Sequence, residues 1–424
     1  MILLYGTGFV KCRAGVTPSF TGAVRPPLIF RLPEIIMNVI TPGSNPCGTG
    51  KKTMKRILGF FKKEPVLTAA WVLAAASAFW VKPNKDYLTY IDWRSLCILW
   101  SLMAVMQGFR ENGVFDVIGE RLLKRTDTVR QLAVTLVALC FFGSMLMTND
   151  VALIAFVPFT IATLLSCGRR EAIIPVVVMQ TVAANMGSML TPIGSPQNLY
   201  LYAASGCSVG EFIMIMLPYC AASAVLLAVG VLVLKGGKKK ADPAVSPTRP
   251  VILSKRNLVL YVILFCASLL TVARILPYYI SAGLVLTVAL AVQRKSLLSV
   301  DYSLLFIFIG FFIFTGNVGN IPEIKELLTG AVAGREKLFG ILMSQVISNV
   351  PATLLLSEFT DDYRSLLTGV DIGGLGTLIA SMASLISYKY YARSPGAQRG
   401  RYVLDFTLVS IVFLAVLVPL SVII

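Results

Sequence analysis

A succession of apolar runs, separated by short polar or basic segments, constrains this chain more than any other feature of its sequence. A helix needs roughly 20 apolar residues to cross the hydrocarbon core of a bilayer, and several runs approach that length. With 56% hydrophobic and only 14% charged residues, the 424-residue chain is also more apolar than a soluble domain. The sequence therefore predicts an all-α polytopic membrane protein. The runs lie near 66–81, 95–109, 128–147, 149–166, 172–190, 197–204, 211–234, 257–273, 276–293, 303–318, 338–347, 350–357, 366–388 and 402–424.

The basic residues indicate how the chain is oriented. The net charge of +17, from 38 Lys and Arg against 21 Asp and Glu, would also fit a nucleic-acid-binding protein. Here, however, the basic residues cluster in short loops between apolar runs, as cytoplasmic loops of membrane proteins do. We therefore expect a multi-pass protein of the cell (inner) membrane whose surroundings are the lipid bilayer, with no nucleic-acid partner. The marker loops contain Lys55, Arg56, Lys62, Lys63, Arg121, Lys124, Arg125, Arg130, Arg169 and Arg170.

The residue types argue against enzymatic chemistry. The chain has no histidine, which excludes imidazole metal sites, Ser-His or Cys-His nucleophiles and histidine proton relays. Its eight cysteines are scattered, and none forms a CxxC pair. We expect no catalytic residues and no cofactor, and consider sodium the candidate coupling ion.

The chain divides into four segments. Residues 1–53 are rich in proline and contain no spanning run, so we expect either a disordered tail or a mis-annotated extension that precedes a start at Met54. Residues 54–234 form the first predicted repeat. The polar, lysine-rich stretch 235–256 is a predicted cytoplasmic linker. Residues 257–424 form the second repeat, with one extra helix.

Matching motifs indicate that the two halves are repeats. Residues 91–96 are echoed by 300–305, and each stretch opens an apolar helix with an aspartate that we expect to cap it. Loop charges place Asp92 outside and Asp301 inside, so the repeats are inverted. Further pairs are Thr148-Asn149-Asp150 with Ser348-Asn349-Val350, and the Gly- and Ser-rich breaks at 185–198 and 373–384.

Several runs are too short to cross the membrane alone, which predicts re-entrant hairpins and broken helices. In transporters, paired breaks of this kind place the binding site near the membrane midplane. The alternative is that Gly and Pro merely kink membrane helices. The short runs are 197–204, 338–347 and 350–357.

Oxygen-bearing side chains at the hairpin tips (148–150 and 348–350) and at the two helix breaks form the predicted binding site. A hard cation is expected to bind at the two tips, with Asp150 as its carboxylate ligand or as a proton carrier. Helix N-termini and amide or hydroxyl groups are expected to bind an anion. The predicted cation ligands are Thr148, Asn149, Asp150, Ser348 and Asn349. The predicted substrate ligands are Asn149, Asn185, Gly187, Ser188, Thr191, Gly194, Ser195, Gln197, Asn198, Ser348, Asn349 and Thr377, with Gly374, Gly376, Ser381 and Ser384 as weaker candidates.

These motifs resemble those of the ion transporter superfamily that contains citrate and dicarboxylate transporters, arsenite permeases and certain sodium/proton antiporters. The resemblance runs from Met54 to Ile424 and rests on Thr148-Asn149-Asp150 and on 185–198. It implies an elevator-type fold, often a homodimer, and transport of a small solute. The tips differ from the Ser-Asn-Thr of the dicarboxylate branch at Asp150 and Val350, so the resemblance does not select a dicarboxylate.

The sequence thus predicts a secondary transporter for a small anion, either a carboxylate or an inorganic oxyanion, coupled to sodium or protons. Efflux of arsenite or another oxyanion and sodium/proton exchange remain the alternatives. The solute, the coupling ion, the direction and the stoichiometry stay open.

Overall fold

Helices joined by short connections form the chain over residues 65–123, 126, 128–234 and 254–424, which are the residues that this computed structural model describes. They belong to a unit that runs from Ile57 to Ile424. The predicted tail over 1–53 and nearly all of the predicted linker over 235–256 lie outside the described residues. In chain order the helices are α1 (Pro65–Ser77), α2 (Trp93–Glu111), α3 (Val114–Leu123), α4 (Val129–Leu146), α5 (Asn149–Ser166), α6 (Ile173–Ser188), α7 (Pro196–Ser205), α8 (Val209–Leu232), α9 (Lys255–Val272), α10 (Tyr278–Val292), α11 (Arg294–Leu298), α12 (Tyr302–Gly319), α13 (Pro322–Val332), α14 (Glu336–Ile347), α15 (Asn349–Leu356), α16 (Tyr363–Gly373), α17 (Met382–Ala392) and α18 (Arg399–Ile423).

The outer surface of these helices is suited to lipid. Six of them, α4, α5, α8, α9, α12 and α18, are long and apolar enough to cross a membrane. Large apolar side chains on them remain exposed, among them Phe142 at 63%, Met214 at 68% and Leu404 at 58%. An apolar surface of this extent is unfavourable in water and favourable against acyl chains. The prediction of an all-helical, polytopic membrane protein is confirmed.

Two aspartates begin matching helices, as predicted. Asp92 accepts a hydrogen bond from the Ser95 amide, 3.1 Å away, at the start of α2. Asp301 does the same for the Ser303 amide, 3.0 Å away, at the start of α12. Each side chain satisfies an amide that would otherwise lack a partner at the helix end.

Two apolar segments are interrupted. The first is α6, which ends at Ser188 before α7 begins at Pro196. The second is the run predicted over 366–388, which is divided between α16 and α17 with an irregular stretch at 374–381. Both interruptions lie at the Gly- and Ser-rich positions identified in the sequence.

Two helical hairpins approach these interruptions but differ in length. Helices α4 and α5 have 18 residues each, so both are long enough to cross a bilayer. Helices α14 and α15 have 12 and 8 residues, and neither could cross alone. Both tips are buried, with Asn149 and Asn349 each 4% exposed.

Arg274, in the connection between α9 and α10, holds the end of α7. Its guanidinium donates from Nη1 to the Gly206 carbonyl at 2.9 Å and from Nη2 to the Tyr202 carbonyl at 3.1 Å. The guanidinium carbon also lies 5.1 Å from the centre of the Tyr202 ring. Helices α9 and α10 pack against α2, so this residue joins that group to the broken helix α6–α7.

We expect Arg274→Lys to lower the free energy of unfolding by about 1–2 kcal/mol, because lysine cannot make both carbonyl bonds and the ring contact from one planar group. Thermal unfolding of detergent-solubilised protein measures this loss. The matched control is Arg294→Lys, since the bond of Arg294 within the described residues is a single one, to the Leu290 carbonyl one turn earlier in the chain. Equal destabilisation by the two variants would contradict the prediction.

Candidate functional site

The first hairpin tip is bonded directly to the first helix break. The Asn149 amide donates to the Gly194 carbonyl at 2.9 Å. The Asn149 side chain donates to Oδ1 of Asn185, near the end of α6, at 3.1 Å. The Thr191 hydroxyl, inside the break, donates to the Met145 carbonyl at 2.6 Å. Backbone and side-chain bonds therefore hold the tip of α4–α5 against the interruption of α6–α7.

The second hairpin tip meets the second break through corresponding contacts. The Asn349 amide donates to the Ala380 carbonyl at 2.9 Å. The Thr377 hydroxyl donates to the Gln345 carbonyl at 3.3 Å, and its amide donates to Gln345 Oε1 at 3.0 Å. Met145 and Gln345 each lie four residues before their tip asparagine, and Thr191 and Thr377 each lie three residues before the bonded carbonyl. The same spacing thus produces the same contacts in both halves.

Glycines let each hairpin approach its broken helix. A Cβ on Gly187 would lie 2.1 Å from the carbonyl oxygen of Phe141 in α4, and one on Gly373 would lie 2.8 Å from Cα of Ile341 in α14. A Cβ on Gly194 would lie 2.1 Å from the Ser188 carbonyl oxygen. Gly187 and Gly194 therefore have a packing role against the protein's own backbone. The contact with a solute that the sequence suggests for them stays a prediction.

Side chains also join the two broken helices to each other. Asn185, in α6, donates from Nδ2 to the Ser384 hydroxyl at 3.1 Å and accepts at Oδ1 from the Ser381 hydroxyl at 3.0 Å. In the opposite direction, Gln197 in α7 donates to Oδ1 of Asp371 in α16 at 3.1 Å. Asn185, near the end of α6, thus meets the beginning of α17. Asp371, near the end of α16, meets the beginning of α7.

The helices that begin at this site have N-cap residues whose side chains form no capping hydrogen bond. Thr148, Ser195, Ser348 and Ser381 precede α5, α7, α15 and α17, and none of their side chains accepts a hydrogen bond from the first turn. Elsewhere the Ser, Thr and Asp N-caps of the described helices do accept one, at Asp92, Thr128, Ser208, Ser254, Asp301 and Asp362. An uncapped N-terminus offers free amides and a partial positive charge to an anion.

The helices that begin at the tips, α5 and α15, differ from those that begin at the breaks, α7 and α17, in whether their first amides already donate hydrogen bonds. At the tips, the Asp150 amide donates to Asn149 Oδ1 at 2.9 Å and the Val350 amide to Asn349 Oδ1 at 3.0 Å. Together with the bonds from the tip asparagines to the break carbonyls, these satisfy the first amides of α5 and α15. The first turn of α17 is therefore a better anion-binding group than either tip.

The remaining predicted residues are placed as follows. The Ser188 hydroxyl donates to the Asn185 carbonyl at 2.8 Å, and Asn198 donates to the Ser188 carbonyl at 3.2 Å, so both lie with Asn149, Thr191 and Gly194 at the first break. Ser348 is 1% exposed and has a φ of +78°, a conformation that is costly for a residue with a side chain. Thr377, in contrast, is exposed at the second break.

Asp150 occupies the first turn of α5. Its Oδ1 atom is buried and accepts no hydrogen bond from the described residues. The Asp301 carboxylate, which caps α12, is close enough to interact with it electrostatically. Because two neighbouring carboxylates repel each other, they favour a cation bound between them or a proton on one of them.

Asp371 is the site residue that the sequence analysis missed. It is 5% exposed, and within the described part of the chain its Oδ2 atom has no hydrogen-bond partner. The signal was available in the repeat, since Asn185 and Asp371 each lie two residues before a packed glycine and six before Thr191 and Thr377, respectively. The second break therefore has a carboxylate where the first has an amide.

Comparison with known proteins identifies the family. Residues 57–362 match the family model described as citrate transporter. The chain belongs to the citrate transporter family. The inner membrane protein YbiR of Escherichia coli is 33% identical over 313 residues, which cover 72% of this chain and 82% of YbiR. An uncharacterized transporter of Methanocaldococcus jannaschii is 32% identical over 335 residues, covering 77% and 89% of the two chains.

A more distant relative has a named solute. The silicon efflux transporter LSI3 of rice is 30% identical over 168 residues, which cover 38% of this chain and 34% of that protein. As a member of the citrate transporter family, the chain is a multi-pass membrane transporter, and the resemblance stated from its motifs is confirmed. The matched region ends at residue 362, so α16 and α17, which contribute Asp371, Ser381 and Ser384, lie beyond it.

Proposed function

We propose that this protein is a secondary active transporter that moves a small anion, a carboxylate or an inorganic oxyanion, across the inner membrane together with sodium or protons. The observation that carries the proposal is the uncapped N-terminus of α17, which lies at the buried Asn185 beside the first hairpin tip. The amides of its first turn provide positive potential without a basic side chain. Such a site can bind an anion and still release it.

The two hairpin tips are the proposed cation ligands. Thr148, Asn149 and Asp150 provide oxygens at the first tip, and Ser348 and Asn349 provide them at the second. Oxygen ligands of this kind suit a small hard cation. A cation bound near the anion would reduce the desolvation cost of both, which is the physical basis of coupling.

The matched contacts of the two tips and breaks support inverted repeats and an elevator-type movement of the hairpins with their broken helices. Opposed repeats that place broken helices at the midplane are a recurrent architecture of secondary transporters. We further propose that the protein is a homodimer, as the family resemblance implies.

Efflux of an uncharged or weakly acidic inorganic oxyacid is the second candidate. It is favoured by the relation to the rice protein named as a silicon efflux transporter. The hydrogen-bonding groups of the site are also amides, hydroxyls, carbonyls and a carboxylate. Such groups suit a solute with many hydroxyl groups and little charge.

Flux into proteoliposomes tests the proposal. Wild-type protein is expected to accumulate one of labelled succinate, citrate, sulfate, arsenite or silicic acid when an inward sodium or proton gradient is imposed. Asp150→Asn should reduce the gradient-dependent part of this flux by about tenfold or more, because loss of a single charged ligand readily costs about 1.4 kcal/mol.

Asp116→Asn is the control for that substitution, since Asp116 is an exposed carboxylate in the first turn of α3. Its flux should equal that of the wild type. Cation exchange that proceeds without any of these solutes would overturn the anion proposal in favour of a sodium/proton antiporter. Outward but not inward accumulation of arsenite or silicic acid would favour the efflux candidate.

A further inference from the structure

Two side chains, Asn185 and Asp371, join the broken helices, and they differ in how much of their hydrogen-bonding capacity is used. Asn185 uses both ends of its amide, because Nδ2 donates to Ser384 and Oδ1 accepts from Asn149 and Ser381. At the corresponding position, Asp371 accepts one hydrogen bond, from Gln197 to Oδ1. The first crossing is therefore complete, whereas the second lacks a partner.

Three side-chain oxygens, one on Asp371 and two on residues beside Gln197 in the chain, lack a partner in the described part of the protein. Within the described residues, Asp371 Oδ2, Ser195 Oγ and Asn198 Oδ1 are buried and form no hydrogen bond. Their residues are 5%, 1% and 0% exposed, respectively. Buried polar atoms are nearly always paired, so these three oxygens are available to bind a ligand.

Their placement follows from the matched breaks. Ser195 and Ser381 are the N-caps of α7 and α17, and Asn198 and Ser384 each lie three residues further on. Since Ser381 and Ser384 both bond to Asn185, the matched spacing leads us to infer corresponding places beside Asp371 for Ser195 and Asn198. The Asn198 side chain indeed interacts with the Asp371 carboxylate.

The charge of Asp371 has no counterpart in the described part of the chain. Among the described residues, no lysine or arginine forms an ion pair with it. A buried carboxylate without a counter-charge is strongly unfavourable. The N-terminus of α7 offers only about half an elementary positive charge, so the crossing retains net negative charge.

We propose that Asp371 Oδ2, Ser195 Oγ and Asn198 Oδ1 bind a sodium ion, at a site separate from the hairpin tips. The inference rests on the proposed function, because this ion would be a coupling ion. One carboxylate with two neutral oxygens suits a monovalent hard cation better than a divalent one. Protonation of Asp371 would neutralise its charge but would leave the hydroxyl and amide oxygens without ligands.

Sodium-dependent thermal stabilisation of the purified full-length chain tests this site. A ligand that binds only the folded protein raises its unfolding temperature in proportion to ln(1 + [L]/Kd). We expect the unfolding temperature of the wild type to rise with NaCl but not with choline chloride at equal ionic strength. Asp371→Asn should move the half-maximal sodium concentration upward by about tenfold or more, because losing even an indirect partner of a metal costs about that much.

Ser195→Ala is the second variant, and it remains informative if Asp371→Asn does not fold. The Ser195 hydroxyl forms no hydrogen bond with the described residues. This variant should therefore unfold in choline chloride at the wild-type temperature and still require more sodium. Asp405→Asn is the control, because Asp405 lies in α18, where it forms a surface ion pair with Arg401. It should respond to sodium as the wild type does.

Wild-type sodium dependence in both Asp371→Asn and Ser195→Ala, or stabilisation of the wild type by acid but never by sodium, would overturn the inference. Sodium-coupled anion flux that persists in Asp371→Asn would also overturn it while leaving the proposed function intact. A third outcome is also informative: the wild type transports no anion, and Asp371→Asn loses the stabilisation by sodium. That result would support the sodium site and contradict the proposed function.

Discussion

Gly187→Val is expected to abolish stable folding of the protein in the membrane. The first atom of the new side chain would lie 2.1 Å from the Phe141 carbonyl oxygen, well inside van der Waals contact. That oxygen belongs to backbone, so it cannot move aside as a flexible side chain could. Helices α4 and α6 would have to separate, and with them the bonds that hold Asn149 to the break.

The expected cost exceeds about 3 kcal/mol, the upper part of the usual range for overpacking, and is large against the 5–15 kcal/mol by which proteins are stable. The yield of monodisperse protein and its unfolding temperature in detergent measure it. Gly283→Val is the matched control, because a Cβ at Gly283 in α10 meets nothing within 4 Å. Similar yield and unfolding temperature for the two variants would show that the close contact is absent in the membrane.

Asn185→Leu is expected to leave the protein folded but to reduce transport by about 100-fold or more. Leucine has nearly the shape of asparagine but forms no hydrogen bonds, so Asn149, Ser381 and Ser384 would each lose a buried partner. Each such loss costs about 1–3 kcal/mol, and about 1.4 kcal/mol corresponds to tenfold. The affected groups are the first tip and the beginning of α17, so the cost falls on the proposed binding site.

Initial rates of uptake, expressed per amount of folded protein, measure this effect. Asn317→Leu is the matched control, since Asn317 is also a buried asparagine, in α12, and donates to Ser77 and to Tyr87. We expect Asn317→Leu to lower the unfolding temperature while leaving the KM for the solute unchanged. An equal reduction of transport per folded molecule in the two variants would mean that Asn185 has only a structural role.

Much of the helical architecture could be predicted because each feature depends on neighbouring residues. Apolar runs set the helices, and the aspartates at 92 and 301 cap them through amides only two or three residues away. The breaks followed from local clusters of Gly, Ser and Pro. The family could also be recognised, because its motifs are short and contiguous around Asn149 and Thr191.

The pairing across the site could not be predicted in the same way. Nothing local to Asn185 indicates that Ser381 and Ser384, nearly two hundred residues later, are its partners. Asp371 was not predicted because it lies within an apolar run, before the Gly-rich stretch that marks the second break. The uncapped state of Ser195 and Ser381 is likewise a tertiary property, since both residues are good N-caps by type.

The unequal bonding within the site determines where it can open most easily. Each hairpin is tied to its own break by backbone bonds and by glycine contacts, whereas side chains alone cross from α6 to α17 and from α7 to α16. Water can replace such side-chain bonds one at a time, at a net cost of about 1 kcal/mol each. The contacts between the two broken helices should therefore admit water and a hydrated solute more readily than the contacts of each hairpin with its own break, and their side chains can exchange partners with the entering molecule.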